Sequence, residues 1–310
     1  MFQALCQKIE TGEAVIAILG MGHAGLSLAT RFVGAHFEVI GFDTNAACVD
    51  SLRAGRSPIL DVPGESLMGC LASGRFHPTT QTEELHRADI FIICVATPLS
   101  KNRQSDQSCI QEALRSVTEA FSAGAMVILE SPAYPGTTEE LLLPALSDLG
   151  LELDGDFLLA FSPNRMALGT PDQPMAALPK VVGGASQASA KAALALYRTV
   201  FERVLAVSSA RAAELTQLLE NSFRTVNVAL VNEFSQFCEA QNVDPWEVIH
   251  ATGTKPFGCI PFYLRPGIGG HGLSLDPQYP VYQLRLQGFG PRLAALADQI
   301  NVEQVRFSLE

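Results

Sequence analysis

Short apolar segments recur along the first part of the chain, each followed by a turn or a helical pattern. The first, residues 14–19 (AVIAIL), is rich in β-branched side chains and leads through three glycines into a helical pattern over residues 26–33. Similar segments, apolar at nearly every position, follow at residues 37–42, 90–95, 126–129 and 157–161. Strands that are apolar on both faces are typical of parallel sheets covered by helices.

Helical patterns at residues 111–121 and 138–149 lie between these segments, and residues 180–183 and 203–207 are expected to complete the sheet. The alternation predicts an α/β fold with a doubly wound parallel Rossmann sheet. From residue 210 to about 240 the pattern predicts one long helix without Gly or Pro. We therefore expect a Rossmann-like domain over 1–208 and an all-helical domain over 209–310, with further helices from Asp244-Pro245 to His250 and from about Pro291.

A glycine motif joins the first predicted strand to its helix. Gly20, Gly22 and Gly25 match G-x-G-x-x-G, which permits a tight turn, close approach of a pyrophosphate and close strand–helix packing. Asp43 ends the second strand, where a carboxylate accepts hydrogen bonds from the adenosine ribose and repels a 2′-phosphate. The expected cofactor is therefore NAD rather than NADP. The alternative interpretation is a glycine turn beside a solvated aspartate.

Other cofactor contacts are expected from the glycine loop and from the carboxyl ends of later strands, where open α/β sheets bind ligands. Structural turns at the strand ends are the alternative. The candidates are Met21, His23, Ala24, Val95, Thr97, Pro98, Glu130 and Ser131.

Composition narrows the class of protein. Hydrophobic residues make up 47% and charged residues 17%, as in packed globular enzymes. A net charge of −11 without a basic run argues against nucleic acid as a partner.

Since no segment is apolar enough to cross a membrane and no targeting segment begins the chain, we expect no membrane contact and a cytoplasmic location. Seven scattered cysteines without a Cys-x-x-Cys pair argue against disulfides and against a metal site.

The sequence resembles the UDP-glucose/GDP-mannose (nucleotide-sugar 6-) dehydrogenase family, especially its UDP-N-acetylglucosamine and UDP-N-acetylmannosamine branch. The resemblance runs from residue 14 to about 304 in ordered blocks. These are GMGHAGLSLA (20–29), TPLSKNRQSD (97–106), ESPAYPGTTEE (130–140), DFLLAFSPNR (156–165), KVVGG (180–184), AELTQLLENSFRTVNVALVNE (213–233) and TKPFGCIPFYLRPGIGGHGLSLDP (254–277). The resemblance implies oxidation of a sugar C6 hydroxyl by two NAD through a cysteine thiohemiacetal and thioester.

Four positions depart from the family pattern. Gly272 replaces the nucleophilic Cys, Gln217 the oxyanion-stabilising Lys, Asn164 a Glu and Pro132 a Thr. By the resemblance, all four groups converge on one reacting carbon, so we expect the four-electron oxidation to be lost. The chain also ends before the family's third domain, which grips the nucleotide, and we expect that domain to be absent.

Other family positions are retained. Asn221, Asp276 and His271 are the candidate catalytic groups, and the alternative is that they support the helix and loop that carry them. The candidate substrate contacts are Arg165, Lys255, Phe262, Tyr263 and Gly269. For Lys255 and Tyr263, a surface or packing role is the alternative.

Three functions remain open from the sequence. The first is a repurposed NAD(H) oxidoreductase making a single two-electron alcohol–carbonyl step on a small molecule, either a nucleotide sugar or a related metabolite. The second is an inactive NAD-binding paralogue that acts through a partner. The third is a redox-neutral enzyme with tightly bound NAD. Because family members pair through the helix at 210–240, the resemblance also implies a homodimer. The alternative is that the apolar positions of this helix belong to the core of a single chain.

Overall fold

The computed structural model describes residues 2–97, 106–165, 178–264 and 292–307. Within these ranges the chain forms two compact units, one of residues 2–97 and 106–216 and the other of residues 217–264 and 292–307. The longest helix begins in the first unit and continues into the second. None of the described helices combines the length and hydrophobicity that crossing a membrane requires.

Eight strands form one sheet in the described part of the chain. They are β1 Val15–Leu19, β2 Glu38–Phe42, β3 Phe76–Thr79, β4 Ile90–Ile93, β5 Met126–Leu129, β6 Leu158–Phe161, β7 Lys180–Gly184 and β8 Val204–Ala206. The order is β3-β2-β1-β4-β5-β6-β7-β8. Neighbouring strands are parallel except β6 and β7, which are antiparallel. The doubly wound Rossmann prediction is confirmed, and the direction of β7 is the one departure from a parallel sheet.

Helices connect the strands and form the second unit. They are α1 Phe2–Thr11, α2 His23–Gly34, α3 Ala46–Arg53, α4 Gly64–Ala72, α5 Ser108–Ala120, α6 Leu143–Ser147, α7 Gln187–Arg198, α8 Ala210–Ala240, α9 Pro245–Gly253 and α10 Arg292–Phe307. The helix predicted over 138–149 is instead a π-helical turn, Thr138–Leu142, followed by α6. The helix predicted to end at His250 continues to Gly253. The sequence did not predict α1, α3, α4, α7 or β3.

The sheet has a hydrophobic core on each face because successive strand residues point to opposite sides. In β1, Ile16 and Ile18 join the core on one face, and Ala17 and Leu19 join the other. The first core is covered by α1, α2 and α7, and the second by α5 and α6. These layers fix the strand ends that carry the candidate site.

Buried amides join α8 and α10 in the second unit. The Asn232 side-chain amide on α8 donates to Asn301 Oδ1 on α10 at 3.0 Å, and Asn301 donates to the Thr225 carbonyl at 3.2 Å. Both asparagine side chains are buried. The pairing therefore fixes how α10 lies along α8, since a buried polar group that loses its partner is costly.

Candidate functional site

One row of paired residues brings five strand ends to a common edge. Leu19 pairs with Phe42 on one side and Ile93 on the other, Ile93 pairs with Leu129, and Leu129 pairs with Phe161. The residues that follow this row are Asp43, Gly20, Cys94, Glu130 and Ser162. We call this the carboxyl edge. The strand order reverses between β1 and β4, which is where open α/β sheets bind dinucleotides.

Two of the three glycines in the loop at this edge have no room for a side chain. Gly20 has a φ of +96°, and a Cβ there would lie 2.8 Å from the Cys94 carbonyl oxygen. A Cβ on Gly25 would lie 1.8 Å from the Gly20 carbonyl oxygen. Gly22 is the N-cap residue of α2; it provides no side-chain cap and has open space around it. The first N–H groups of α2 therefore remain available to an anion such as a pyrophosphate.

Three other predicted residues of the loop differ in exposure. The Met21 side chain is buried in the core, Ala24 is half-buried and the His23 side chain is exposed beside Asp61. The Met21 side chain is therefore closed to a cofactor contact, whereas His23 and Ala24 are accessible.

Asp43 connects the glycine loop to the end of β2. Its Oδ2 accepts from the Met21 N–H at 2.8 Å, and its Oδ1 accepts from the Asn45 N–H at 2.9 Å. A carboxylate oxygen can accept more than one hydrogen bond, so both oxygens can also accept from ribose hydroxyls. Asn45 in turn caps α3, with its Oδ1 accepting from the Ala47 N–H at 3.0 Å. Asn45 was not predicted from the sequence.

The end of β4 contains a buried hydroxyl without a partner. Thr97 is 2% exposed, and its Oγ1 forms no hydrogen bond within the described part of the chain. Since an unpaired buried hydroxyl is costly, a ligand group is a natural partner for it. Val95 is half-buried at the same edge. The edge thus fits a dinucleotide. It has a glycine loop that a pyrophosphate can approach closely, the Asp43 carboxylate that can accept from a ribose, and a Thr97 hydroxyl without a partner among the described residues.

The two candidates after β5 already bond within the protein. The Ser131 hydroxyl donates to the Val95 carbonyl at 2.8 Å, and the Ser131 N–H donates to the Ile93 carbonyl at 3.1 Å. The Glu130 carboxylate is 3% exposed and pairs with Lys180 Nζ at 2.8 Å. The Ser131 bonds hold the ends of β4 and β5 together, and the Glu130 pair links the end of β5 to the start of β7.

Lys180 is the centre of a buried cluster that the sequence analysis missed. Its ammonium also donates to the Pro163 carbonyl at 3.3 Å and lies 4.8 Å from the centre of the Tyr197 ring. The Tyr197 hydroxyl donates to Glu130. Burial, with the Glu130 charge, raises the pKa of Tyr197 well above its ordinary 10.0. Burial likewise raises the pKa of the Cys94 thiol well above 9.0, which argues against Cys94 as a nucleophile.

A second buried carboxylate holds the loop between β5 and α6. Glu214 on α8 is 2% exposed and accepts from the N–H of Gly136, the N–H of Thr138 at 2.9 Å and the Thr138 hydroxyl at 2.7 Å. Burial raises the pKa of Glu214 above 4.5, although these hydrogen bonds act in the opposite direction.

The positions that depart from the family pattern are distributed over both units. Pro132 follows Ser131 and is half-buried, as is Asn164 after β6. Arg165, beside Asn164, donates to the Pro179 carbonyl at 2.5 Å. In the second unit, Gln217 is buried on α8 and Asn221 is half-buried one turn further along that helix.

Aromatic pairs surround the predicted substrate residues of the second unit. The Phe262 ring lies 5.8 Å from Phe223, and Tyr263 stacks on Trp246 at 6.1 Å. Lys255 is exposed, with its Nζ 5.2 Å from the centre of the Phe257 ring. The remaining predicted residues lie outside the described ranges: Pro98, Gly269, His271, Gly272 and Asp276. Among the described residues, no cluster of three or more His, Cys, Asp or Glu side chains could hold a metal.

Comparisons with known proteins agree with this arrangement. Residues 14–201 match the NAD binding domain of the UDP-glucose/GDP-mannose dehydrogenase family, and residues 211–303 match its central domain. The UDP-N-acetyl-D-mannosamine dehydrogenase of Pyrococcus horikoshii is 34% identical over 296 residues, which cover 94% of this chain and 69% of that protein. The UDP-N-acetyl-D-glucosamine 6-dehydrogenase of Pseudomonas aeruginosa is 32% identical, with 92% and 67% covered.

Solved structures give the same result. The structure of UDP-D-ManNAc dehydrogenase from Pyrococcus horikoshii matches with a TM-score of 0.88 and 32% identity, covering 95% of this chain and 70% of that one. The UDP-N-acetyl-mannosamine dehydrogenase Cap5O of Staphylococcus aureus matches with a TM-score of 0.82 and 28% identity, covering 96% and 69%. The predicted fold, resemblance and NAD cofactor are confirmed.

Proposed function

The chain belongs to the UDP-glucose/GDP-mannose dehydrogenase family, and from that premise we propose that it is an NAD(H)-dependent oxidoreductase making a single two-electron step between an alcohol and a carbonyl. The observation that carries the proposal is a contrast within one chain: the carboxyl edge keeps the elements of a dinucleotide site, whereas the groups for a covalent second oxidation are replaced. Because its relatives are named for UDP-N-acetylhexosamines, we propose a nucleotide sugar of that class, or a related metabolite, as the substrate.

The first unit supplies the residues that would hold NAD. Gly22, Gly25 and the first turn of α2 would take the pyrophosphate, Asp43 the adenosine ribose, and the Thr97 hydroxyl a polar group of the second nucleotide. Bound NAD supplies the hydride acceptor, which is the difficult part of the chemistry. The protein then has to orient the substrate and move one proton.

The second oxidation requires groups that this chain does not have at the family positions. Gly272 has no thiol to hold an aldehyde, and the Gln217 amide carries no charge to stabilise an oxyanion. Asn164 does not exchange protons near neutral pH, and Pro132 has no hydroxyl. Cys94 is no substitute, because its buried thiol has a raised pKa.

For the single step, we propose Asn221, Asp276 and His271 as the polar groups that orient the substrate and carry the proton. The candidate substrate contacts are Arg165, Lys255, Phe262, Tyr263 and Gly269. Arg165 already donates to the Pro179 carbonyl, so its remaining N–H groups are those open to a substrate.

The decisive measurement is the stoichiometry of NADH per substrate oxidised. Purified protein is assayed with NAD and a panel of UDP-N-acetylhexosamines and simpler alcohols, with NADH followed by absorbance and products by mass spectrometry. We expect one NADH per substrate and a carbonyl product. Two NADH per substrate with a uronic acid would refute the proposal, as would a panel without turnover on protein shown to bind NAD.

A matched variant isolates the reason for the limit. Gly272→Cys combined with Gln217→Lys restores the thiol and the ammonium of the family pattern. We expect this double variant to form no uronic acid, because Asn164 and Pro132 still lack the acid and hydroxyl groups. Acid formation by the double variant would show that those two positions do not matter.

A second candidate function is association with a partner, and an apolar stripe on α8 favours it. The stripe consists of Leu219, Phe223, Leu230, Phe234 and Phe237, each at least 48% exposed. These residues repeat at helical spacing along one face, and such exposed stripes mark interfaces. We propose a second copy of the chain as the occupant, giving a homodimer.

Light scattering after gel filtration tests this association. We expect a dimer for the wild type and a monomer for Phe234→Glu, while Glu239→Gln, which changes an exposed residue of the same helix, remains dimeric. A monomeric wild type would refute the homodimer. A dimer that binds NAD but turns over nothing would favour association as the function.

A further inference from the structure

We propose that the buried cluster of Lys180, Glu130 and Tyr197 is a positioning device for the half of the carboxyl edge that takes the nicotinamide nucleotide. The observation behind it is that one buried ammonium contacts groups at two strand ends, the Glu130 carboxylate and the Pro163 carbonyl. The inference rests on NAD binding in the proposed function and is independent of the substrate.

The cluster connects three strand ends in series. Lys180 Nζ lies 2.8 Å from Glu130 Oε1 after β5 and 3.3 Å from the Pro163 carbonyl after β6. Ser131, next to Glu130, donates its hydroxyl to the Val95 carbonyl after β4 at 2.8 Å. The ends of β4, β5 and β6 are therefore held at fixed distances by one buried network.

Stability alone does not account for a charged pair at this depth. The side chains of Lys180 and Glu130 are 4% and 3% exposed, and Tyr197 is fully buried beside them. Replacing a buried ion pair by apolar side chains of similar volume is often neutral or stabilising, because desolvation offsets the attraction. Unlike apolar side chains, the ion pair fixes a particular geometry, because the ammonium has to contact both the Glu130 carboxylate and the Pro163 carbonyl.

The position of the cluster assigns it to one half of the cofactor. A Rossmann sheet consists of two mononucleotide-binding halves, and here the order β3-β2-β1-β4-β5-β6 separates them between β1 and β4. The glycine loop and Asp43 belong to the adenosine half. Glu130 follows β5 and the Pro163 carbonyl follows β6, so the ion pair lies at the strand ends of the other half. Thr97, whose hydroxyl has no partner among the described residues, lies on the same side of the boundary.

This placement predicts a split between two probes, NADH and ADP. NADH spans both halves, whereas ADP contacts only the adenosine half. The test variant is Glu130→Leu/Lys180→Met/Tyr197→Phe, which replaces the whole cluster by apolar side chains. The control is Lys191→Met, an exposed lysine on α7, the helix that carries Tyr197.

Titration calorimetry and thermal unfolding give the readouts. We expect the triple variant to raise the Kd for NADH about tenfold or more and to change the Kd for ADP by less than about twofold, with Tm unchanged or higher. Tyr197→Phe, which keeps the ion pair, is expected to give the same split at about two- to fivefold. Lys191→Met is expected to leave all three quantities unchanged.

Each other outcome overturns the inference. Equal weakening of NADH and ADP in either variant would make the cluster a general folding element, and equal binding by variant and wild type would make it dispensable. Wild-type protein that binds ADP but not NADH would overturn the NAD-dependent function and this inference together. If the triple variant does not fold, the ratio measured with Tyr197→Phe decides the question.

Discussion

Removing the Glu214 carboxylate tests how the first two turns of α8 hold the loop after β5. Glu214→Ala leaves the N–H groups of Gly136 and Thr138 without their acceptor in a buried place. Hydrogen bonds to a charged group contribute about 1.5–3 kcal/mol each, and the cost of burying the carboxylate offsets part of that sum. We therefore expect a loss of about 3–4 kcal/mol in the free energy of unfolding.

Glu214→Gln is the more informative variant because it keeps the shape and removes the titration. Its amide oxygen can still accept from both Thr138 groups, but its NH₂ group faces the Gly136 N–H, donor against donor. We expect a loss of about 1–2 kcal/mol. Glu239→Gln, on the exposed side of α8, is the control and should change the free energy by less than about 0.5 kcal/mol.

The pH dependence of that loss has a definite sign. The pKa of Glu214 is raised by burial above 4.5, so the folded state holds its proton more tightly than the unfolded state. The stability that Glu214 contributes relative to Gln is therefore fully present below pH 4.5 and declines as the pH rises through the folded-state pKa.

Urea unfolding of wild type and Glu214→Gln at a series of pH values, with amide exchange of residues 136–138 as the local readout, measures this difference. A gap between the two proteins that widens as the pH rises would refute the reasoning. It would mean that the three hydrogen bonds outweigh burial and lower the pKa of Glu214 instead.

Three further substitutions test the cofactor edge and the second unit. Gly25→Ala should abolish NADH binding in calorimetry, because its Cβ would meet the Gly20 carbonyl oxygen at 1.8 Å; binding within twofold of wild type would contradict this. Asp43→Asn should weaken NADH about tenfold and reduce the preference over NADPH, and an unchanged preference would remove Asp43 from ribose recognition. Asn301→Leu should cost about 1–3 kcal/mol in unfolding, because Asn232 loses its acceptor; an unchanged Tm would make that pair dispensable.

The sheet was predictable where burial repeats along the chain. The strands β1, β2, β4, β5 and β6 were found because each is apolar on both faces, and α8 because 31 residues pass without Gly or Pro. β3 was missed because its sequence, FHPT, contains a Pro and a His. The antiparallel direction of β7 could not be predicted, because a buried strand has the same apolar pattern whether it pairs parallel or antiparallel with its neighbour.

The candidate site was predictable where the backbone itself makes the contact. Glycines and a strand-end carboxylate reveal a dinucleotide loop because the cofactor requires close backbone approach. Lys180 was missed because a lysine that begins the apolar segment KVVGG looks like a surface residue, and only the fold buries it against Glu130. Thr97 was proposed from its strand end, but the sequence could not indicate that its hydroxyl has no partner within the described residues.

The cofactor edge and the family's covalent groups come from different parts of the fold, so the edge can remain while those groups are replaced. The edge comes from one row of paired strand residues, so the packing that holds the sheet also places Gly20, Asp43 and Glu130. The groups for covalent chemistry come instead from loops and from α8, and Gln217 or Asn164 can replace them without changing that row. Replacing those groups therefore leaves the dinucleotide edge in place, and NADH affinity alone cannot report which reaction the chain performs.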